Sequence, residues 1–197
     1  LMSEIFVTKR DGSKTPLNID KIHDVVEFAC DGLSGVSPSE VEVKSHIQFS
    51  NGIKTSDIQE TLIKSASELI SEESPNYQFV AGRLINFHLR KLVYGQFDPP
   101  ELIEHYKKLV LLGWYDQALY NKYSKNEWET LNSVINHSLD FNLTYAAMEQ
   151  FRGKYLVQNR VTNEIFETPQ MLYMLVSMTL FAEYPEESRI GYVKKYY

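Results

Sequence analysis

The chain has 197 residues, room for one large domain or two small ones, and its 43% hydrophobic content is ample for a core. A formal charge of −6 argues against general affinity for nucleic acid, so any phosphate site must be a local basic cluster. Cys30 is the only cysteine, which rules out an internal disulfide or a cysteine-based metal centre, and the longest apolar stretch, residues 171–182, is interrupted by Tyr173, Ser177 and Thr179 and falls short of the ~20 residues that span a bilayer.

Glu4 and a polar hairpin stand where a secretory signal would place a basic segment and an apolar run, so a cytoplasmic chain without a leader is expected. Ile5-Phe6-Val7-Thr8-Lys9-Arg10 and Lys14-Thr15-Pro16-Leu17 read as two short strands, because Asp11-Gly12-Ser13 between them supplies the positive φ of a tight turn. Asn18 reads as the N-cap of a first helix in which Ile22, Val25, Val26 and Ala29 recur at helical spacing and which Gly32 ends. Ser37-Pro38-Ser39-Glu40 reads as a capping box opening a second helix that ends before Asn51-Gly52. Thr55 and Ser56 are candidate caps of a third, with Ile58, Leu62, Ala66, Leu69 and Ile70 on its apolar face and a stop at residues 72–76. The fourth carries Phe79, Val80, Leu84, Phe87 and Lys91, with Arg83, His88 and Arg90 interleaved, and runs to about Phe97, where Asp98-Pro99-Pro100 breaks it.

That double proline is the predicted boundary between a first domain, residues 1–97, and a second, residues 98–197. Beyond it, residues 101–112 form an amphipathic helix, Ser124-x-x-Glu127 is another capping box, and residues 144–151 read as helical. Residues 154–160 and 164–168 alternate as a hairpin turning at Thr162-Asn163. Residues 169–184 form an apolar helix, and Pro185 opens a last one that is still running at Tyr196-Tyr197, as expected of a chain cut from something longer.

Chemistry is sparse. Lys9 and Arg10 end a strand, Lys21 lies one turn into the first helix, and His88 and Lys91 lie near the end of the fourth. Each reads either as a solvated surface group or as part of a set that neutralises a triphosphate through charge-assisted hydrogen bonds, helped by the helix N-terminus at Asn18. Thr55 reads as a cap, as a phosphate or ribose contact, or as both. Cys30 reads as a small buried hydrophobe. No phosphate loop, dinucleotide fingerprint or zinc-hydrolase motif is present, and no pair of carboxylates is placed by spacing for acid–base work.

Three strings in order carry a resemblance. Val7-Thr8-Lys9-Arg10-Asp11-Gly12 with Leu17-Asn18-x-x-Lys21-Ile22 resembles the opening of ATP-cone domains; Ile53-Lys54-Thr55-Ser56-Asp57-Ile58 resembles their central turn; and Phe87-His88-Leu89-Arg90-Lys91 with Tyr94-Gly95 resembles their closing helix. Gly153-Lys154-Tyr155-Leu156-Val157-Gln158-Asn159-Arg160 is similar to the amino-terminal helical region of class Ia ribonucleotide reductase large subunits, so the resemblance covers essentially the whole chain.

The resemblance implies a mainly α fold, a four-helix bundle capped by a small β-sheet, followed by a further helical region with one hairpin. It implies an allosteric site where Lys9 and Arg10 contact phosphates, Thr15 to Lys21 line the base and ribose with Asn18 reading adenine, Lys21 meets phosphate, and Ile22 packs on the base. Thr55, His88 and Lys91 complete the phosphate and sugar contacts. Thr15 stands where relatives often have an acidic residue and Gln59 where some have histidine. In the family ATP activates and dATP inhibits deoxyribonucleotide synthesis, with Mg²⁺ accompanying the nucleotide, and the response is altered assembly with a radical-generating small subunit. One cysteine cannot supply the family's thiyl radical and redox pair, so this stretch would regulate while catalysis lies in the rest of the large subunit. An ATP-cone transcriptional regulator is the rival reading, opposed by the missing four-cysteine zinc ribbon; a helical interaction module without ligand is a third. Neither direct nucleic-acid binding nor membrane insertion is expected.

Overall fold

The structure, a computed structural model, describes residues 4–197. The described residues gather into two compact units, one formed by the chain up to His88 together with Phe141–Glu149, the other by Leu89–Asp140 and Gln150–Tyr197. The fold is mainly α with one small sheet.

In the first unit β1 (Phe6–Thr8) pairs antiparallel with β2 (Lys14–Pro16), Val7 opposite Thr15, around a turn where Gly12 takes a φ of 84° that residues with a Cβ rarely adopt. Then come α1 (Ile19–Cys30), α2 (Pro38–His46), β3 (Ile53–Lys54), α3 (Thr55–Glu68) and α4 (Tyr77–Tyr94), the last running on into the second unit. β3 pairs parallel with the outer side of β1, giving the order β2-β1-β3. The helices bury Ile22, Val26 and Ala29 on α1, Ile58, Leu62 and Ala66 on α3, and Val80, Ala81 and Leu84 on α4. The α1 and α3 sets step by three or four residues, and Val80 and Ala81 lie four and three before Leu84, as a single buried helix face requires.

Local signals are overridden at three places here. Ser37 precedes α2, yet its hydroxyl makes no capping bond. Glu40 instead accepts from the hydroxyl of buried Tyr77 at 2.5 Å, and that hydroxyl in turn accepts from the Ser37 N–H at 3.0 Å. A tyrosine from α4 thus does the work expected of a capping box. The cap of α3 is Lys54, so Thr55 is its first helical residue, and Ile70 lies beyond its end. α4 stops at Tyr94, followed by Gly95 with a φ of 71°, a left-handed exit that ends the helix before Phe97 and the prolines are reached.

The chain continues through α5 (Leu102–Leu111), α6 (Ala118–Lys122), α7 (Lys125–Val134), a 3₁₀ turn (His137–Asn142), α8 (Tyr145–Gln150), a π-helical turn (Phe151–Tyr155), α9 (Pro169–Phe181) and α10 (Glu186–Tyr196). In the second unit Leu102, Tyr106, Trp128, Leu131, Met171, Met174, Met178 and Val193 form one core. Here the capping box is built as read: Glu127 N–H donates to Ser124 Oγ at 3.2 Å and Ser124 N–H to the Glu127 carboxylate at 2.9 Å. Arg189 on α10 adds a two-pronged ion pair to the same carboxylate.

The expected hairpin shrinks to one bridge, Gln158 with Ile165, turning at Asn163 with a φ of 62°. Its first half is partly consumed by the π-helical turn, and the Val157 N–H goes to the Glu167 carboxylate at 2.8 Å. No helix among the described residues is long and apolar enough to cross a membrane.

Candidate functional site

Most of the residues singled out from sequence lie on the hairpin and at the starts of α1 and α3. β2 leads through Leu17 into α1, and β3 leads without a break into α3. Because β2 is antiparallel and β3 parallel to β1, the two helices start at opposite ends of the sheet. A three-residue strand is only about 10 Å long. The first N–H groups of α1 and of α3 therefore stand at diagonally opposite corners of the small sheet.

At one end Thr8 pairs with Lys54, Thr55 Oγ1 lies 3.4 Å from the Thr8 carbonyl it donates to, and Thr8 Oγ1 donates to the Gly52 carbonyl at 2.9 Å. Lys9 and Arg10 follow Thr8 directly and are exposed, so two cations sit at the strand end that meets the start of α3. The turn beyond them is tight: Lys9 N–H donates to the Ser13 carbonyl at 2.8 Å and Gly12 N–H to the Lys9 carbonyl at 2.9 Å. Asp11, the acid of this turn, accepts from the hydroxyl and N–H of Ser13, which with the charge of Lys9 hold its carboxyl below the ordinary range.

At the other end Asn18 Oδ1 accepts from Lys21 N–H at 3.2 Å, capping α1. Lys21 is exposed on the first turn, and Ile22 is buried in the core beneath it. Between the ends, Thr15, Val7 and Ile53 form one row across the sheet. Val7 is buried, so this row faces the helices, and the next row, Lys14, Thr8 and Lys54, faces the other way. Thr15 is thus on the inner face and Lys54 on the outer.

Gln59 lies one turn after Thr55 on α3, and its side-chain oxygen is buried with no hydrogen-bond donor among the described residues. His88 on α4 is buried, with Nε2 3.8 Å from the Glu60 carboxylate of α3. Lys91 lies one turn further along α4, exposed, and belongs to the second unit. A shallow cleft of about 480 Å³ elsewhere in the first unit is lined by Asp24, Glu27, Cys30 and Asp31 among others, and its carboxylates make it a poor place for phosphate. Burial pushes the Cys30 thiol up to about 11, so it packs as an apolar group.

Sequence reading missed Thr8 and β3. Thr8 links the hairpin to the start of α3 through both its hydroxyl and its carbonyl, a pairing between segments some 45 residues apart that local spacing does not reveal.

Against known proteins, the ATP cone domain family matches residues 5–92 and the ribonucleotide reductase all-alpha domain family matches residues 141–197. The chain is 56% identical over 98% of its length to the ribonucleoside-diphosphate reductase subunit alpha of Haemophilus influenzae, of which it covers 26%. It is 53% identical to ribonucleoside-diphosphate reductase 1 subunit alpha of Escherichia coli, covering 25% of that protein, and 39% identical to the alpha subunit of Enterobacteria phage T4, covering 26%. It therefore spans about a quarter of the length of the curated relatives it matches. With an ATP cone match over the sheet and first four helices and identity to alpha subunits along nearly all its length, the chain is similar to about a quarter of a ribonucleoside-diphosphate reductase alpha subunit.

Proposed function

We propose that the first unit is an allosteric adenine-nucleotide site that reports the balance of ATP and dATP to a longer reductase subunit, ATP activating and dATP inhibiting. The observation that carries this reading is the placement of Lys9 and Arg10 at the start of α3, inside the stretch matched as an ATP cone. In this reading Lys9, Arg10 and the first N–H groups of α3 with Thr55 receive phosphate oxygens. Thr15 and Asn18 face the base and ribose, Ile22 supports the base, and Lys21, Gln59, His88 and Lys91 complete the phosphate and sugar contacts.

Among the described residues no group of His, Cys, Asp and Glu is gathered as a metal site, so Mg²⁺ is assigned to the phosphates of the incoming nucleotide. ATP and dATP differ by one hydroxyl, so they act oppositely only by favouring different conformations of the same protein. The conformations favoured are those that alter assembly with a radical-generating small subunit; residues after the double proline, apart from Phe141–Glu149 of the first unit, belong to the regulated body rather than the sensor.

Isothermal titration calorimetry with ATP and with dATP tests the reading. Saturable binding is expected in the wild-type chain, and Lys9→Ala with Lys91→Ala should weaken it at least about tenfold, since each lost charge-assisted bond is worth roughly 1.5–3 kcal/mol. Absence of saturable binding to the wild type would overturn the sensor, as would a double variant that binds as well as the parent.

A further inference from the structure

Two adjacent residues in the middle of α4 have no part in the proposed site, yet they hold together two distant segments of the first unit. α1 ends at Cys30 with no basic residue in its last turn, so the terminal carbonyls receive no cation of its own. Arg83 supplies one from α4: a terminal guanidinium nitrogen donates to the Asp31 carbonyl at 2.7 Å and to the Ala29 carbonyl at 3.4 Å. Its Nε donates to the Phe141 carbonyl at 3.1 Å. One side chain thus bonds the end of α1 and the first residue of the stretch matched as the all-alpha domain.

Gly82 makes the approach possible. A Cβ built there would stand 2.2 Å from the Leu143 carbonyl oxygen, a backbone atom that cannot swing aside. Phe28, in the last turn of α1, meets the Phe141 ring edge-on at 5.3 Å between centroids. Segment Phe141–Glu149 is therefore held against α1 and α4 by a backbone contact, an arginine fork and an aromatic pair, all within one compact unit. At its far end the chain passes directly into Gln150 and the second unit.

We infer that Arg83 is a positioning residue for regulation, transmitting nucleotide-dependent movement of α1 to the segment Phe141–Glu149. This rests on the proposed nucleotide site, since the first turn of α1 carries Asn18, Lys21 and Ile22. A 12-residue helix is a rigid rod about 18 Å long, so what displaces its first turn displaces its last. The guanidinium then either follows the end of α1 or releases Phe141, and both outcomes alter the same segment. Arg83 bonds to the carbonyls of Ala29, Asp31 and Phe141, none of them a residue of the proposed site, so its loss uncouples without removing a ligand contact.

Hydrogen–deuterium exchange on the whole chain, with and without saturating dATP or ATP, tests this. In the wild type nucleotide is expected to change exchange of amides in 141–149 by about fivefold or more, the lower end of ordinary coupling. In Arg83→Gln nucleotide affinity should stay within twofold while that change disappears; without nucleotide, the variant should exchange faster at residues 29–33 and 141–149 together. Persistence of the nucleotide effect in the variant, or an unresponsive 141–149 in a wild type that binds, overturns the inference. A wild type that binds no nucleotide instead removes the sensor reading and the transmission with it; the nucleotide-free comparison then reports only whether Arg83 ties the two segments.

Discussion

The two units use charge in opposite ways. In the first, the cations of interest, Lys9, Arg10 and Lys21, are exposed at the ends of a short sheet. In the second, charged and titratable groups are drawn inside: Asp140, Glu167, His105 and Glu127 are all nearly inaccessible. Glu167 accepts from the Tyr115 hydroxyl and the Val157 N–H, and the Tyr94 hydroxyl is bonded to that of Thr168. Exposed charge is available to a ligand and adds little to folding; buried charge costs desolvation and is retained only with partners. The contrast separates a surface that presents charge from a body that is locked by it.

The severest break in this contrast is Glu127→Ala. It removes the capping box of α7 and strands Arg189, so a loss of about 3 kcal/mol is expected, as for breaking a buried ion pair. Urea unfolding followed by tryptophan fluorescence measures it, since Trp128 is adjacent in sequence and buried. A loss under about 1 kcal/mol, the surface-pair range, would erase the distinction between the two units.

The pH dependence of stability sharpens it further. Burial raises the Asp140 carboxyl from 3.8 to about 7 against hydrogen bonds from Gln170 and the charge of Arg90. The folded chain keeps a proton there that the unfolded chain releases, so this contribution is complete below pH 3.8 and lost as pH rises through about 7. Burial pushes His105 and His137 the other way, from 6.5 to about 4, so their contribution is complete above pH 6.5 and lost as pH falls through about 4. Between these limits the slopes oppose. Asp140→Asn removes the falling one, and the urea midpoint of the variant should climb more steeply than that of the wild type from pH 4 to 6.5. Parallel profiles would show that Asp140 titrates alike in both states.

The smallest effect probes the first unit's exception to the rule. Tyr77→Phe removes the hydroxyl that joins Ser37 to Glu40, with an expected loss of about 1 kcal/mol for the bonds at the start of α2. Thermal unfolding measures it. An unchanged midpoint would mean that Ser37 or water takes over the cap, and that the first unit depends on no buried polar link at this point.

How much of this was legible beforehand depended on range. The hairpin turn at Asp11-Gly12, the Asn18 cap, the Ser124–Glu127 box and the start of α9 at Pro169 were all readable, because each is decided by residues within about four positions of one another. Of the candidate site, the residue types and their order were legible. Their separation into two ends of a sheet was not, because that follows from β3 joining β1 in parallel, and a two-residue strand leaves no periodic trace. The end of α4 was misplaced for a local reason, the Gly95 exit coming before the more conspicuous prolines.

By itself, then, the sequence determined the local elements, the apolar faces of the helices and, through ordered strings of residues, the family resemblance. Only the tertiary structure decided that Tyr77 would take Glu40 from its own capping box, that Thr8 would join Thr55, and that Arg83 would serve the end of a helix 52 residues away. The physical reason is common to all three. A backbone turn or cap is satisfied by neighbours along the chain, whereas an orphan carbonyl or buried hydroxyl takes whichever partner the packed core brings within reach, and that proximity is a property of the whole fold.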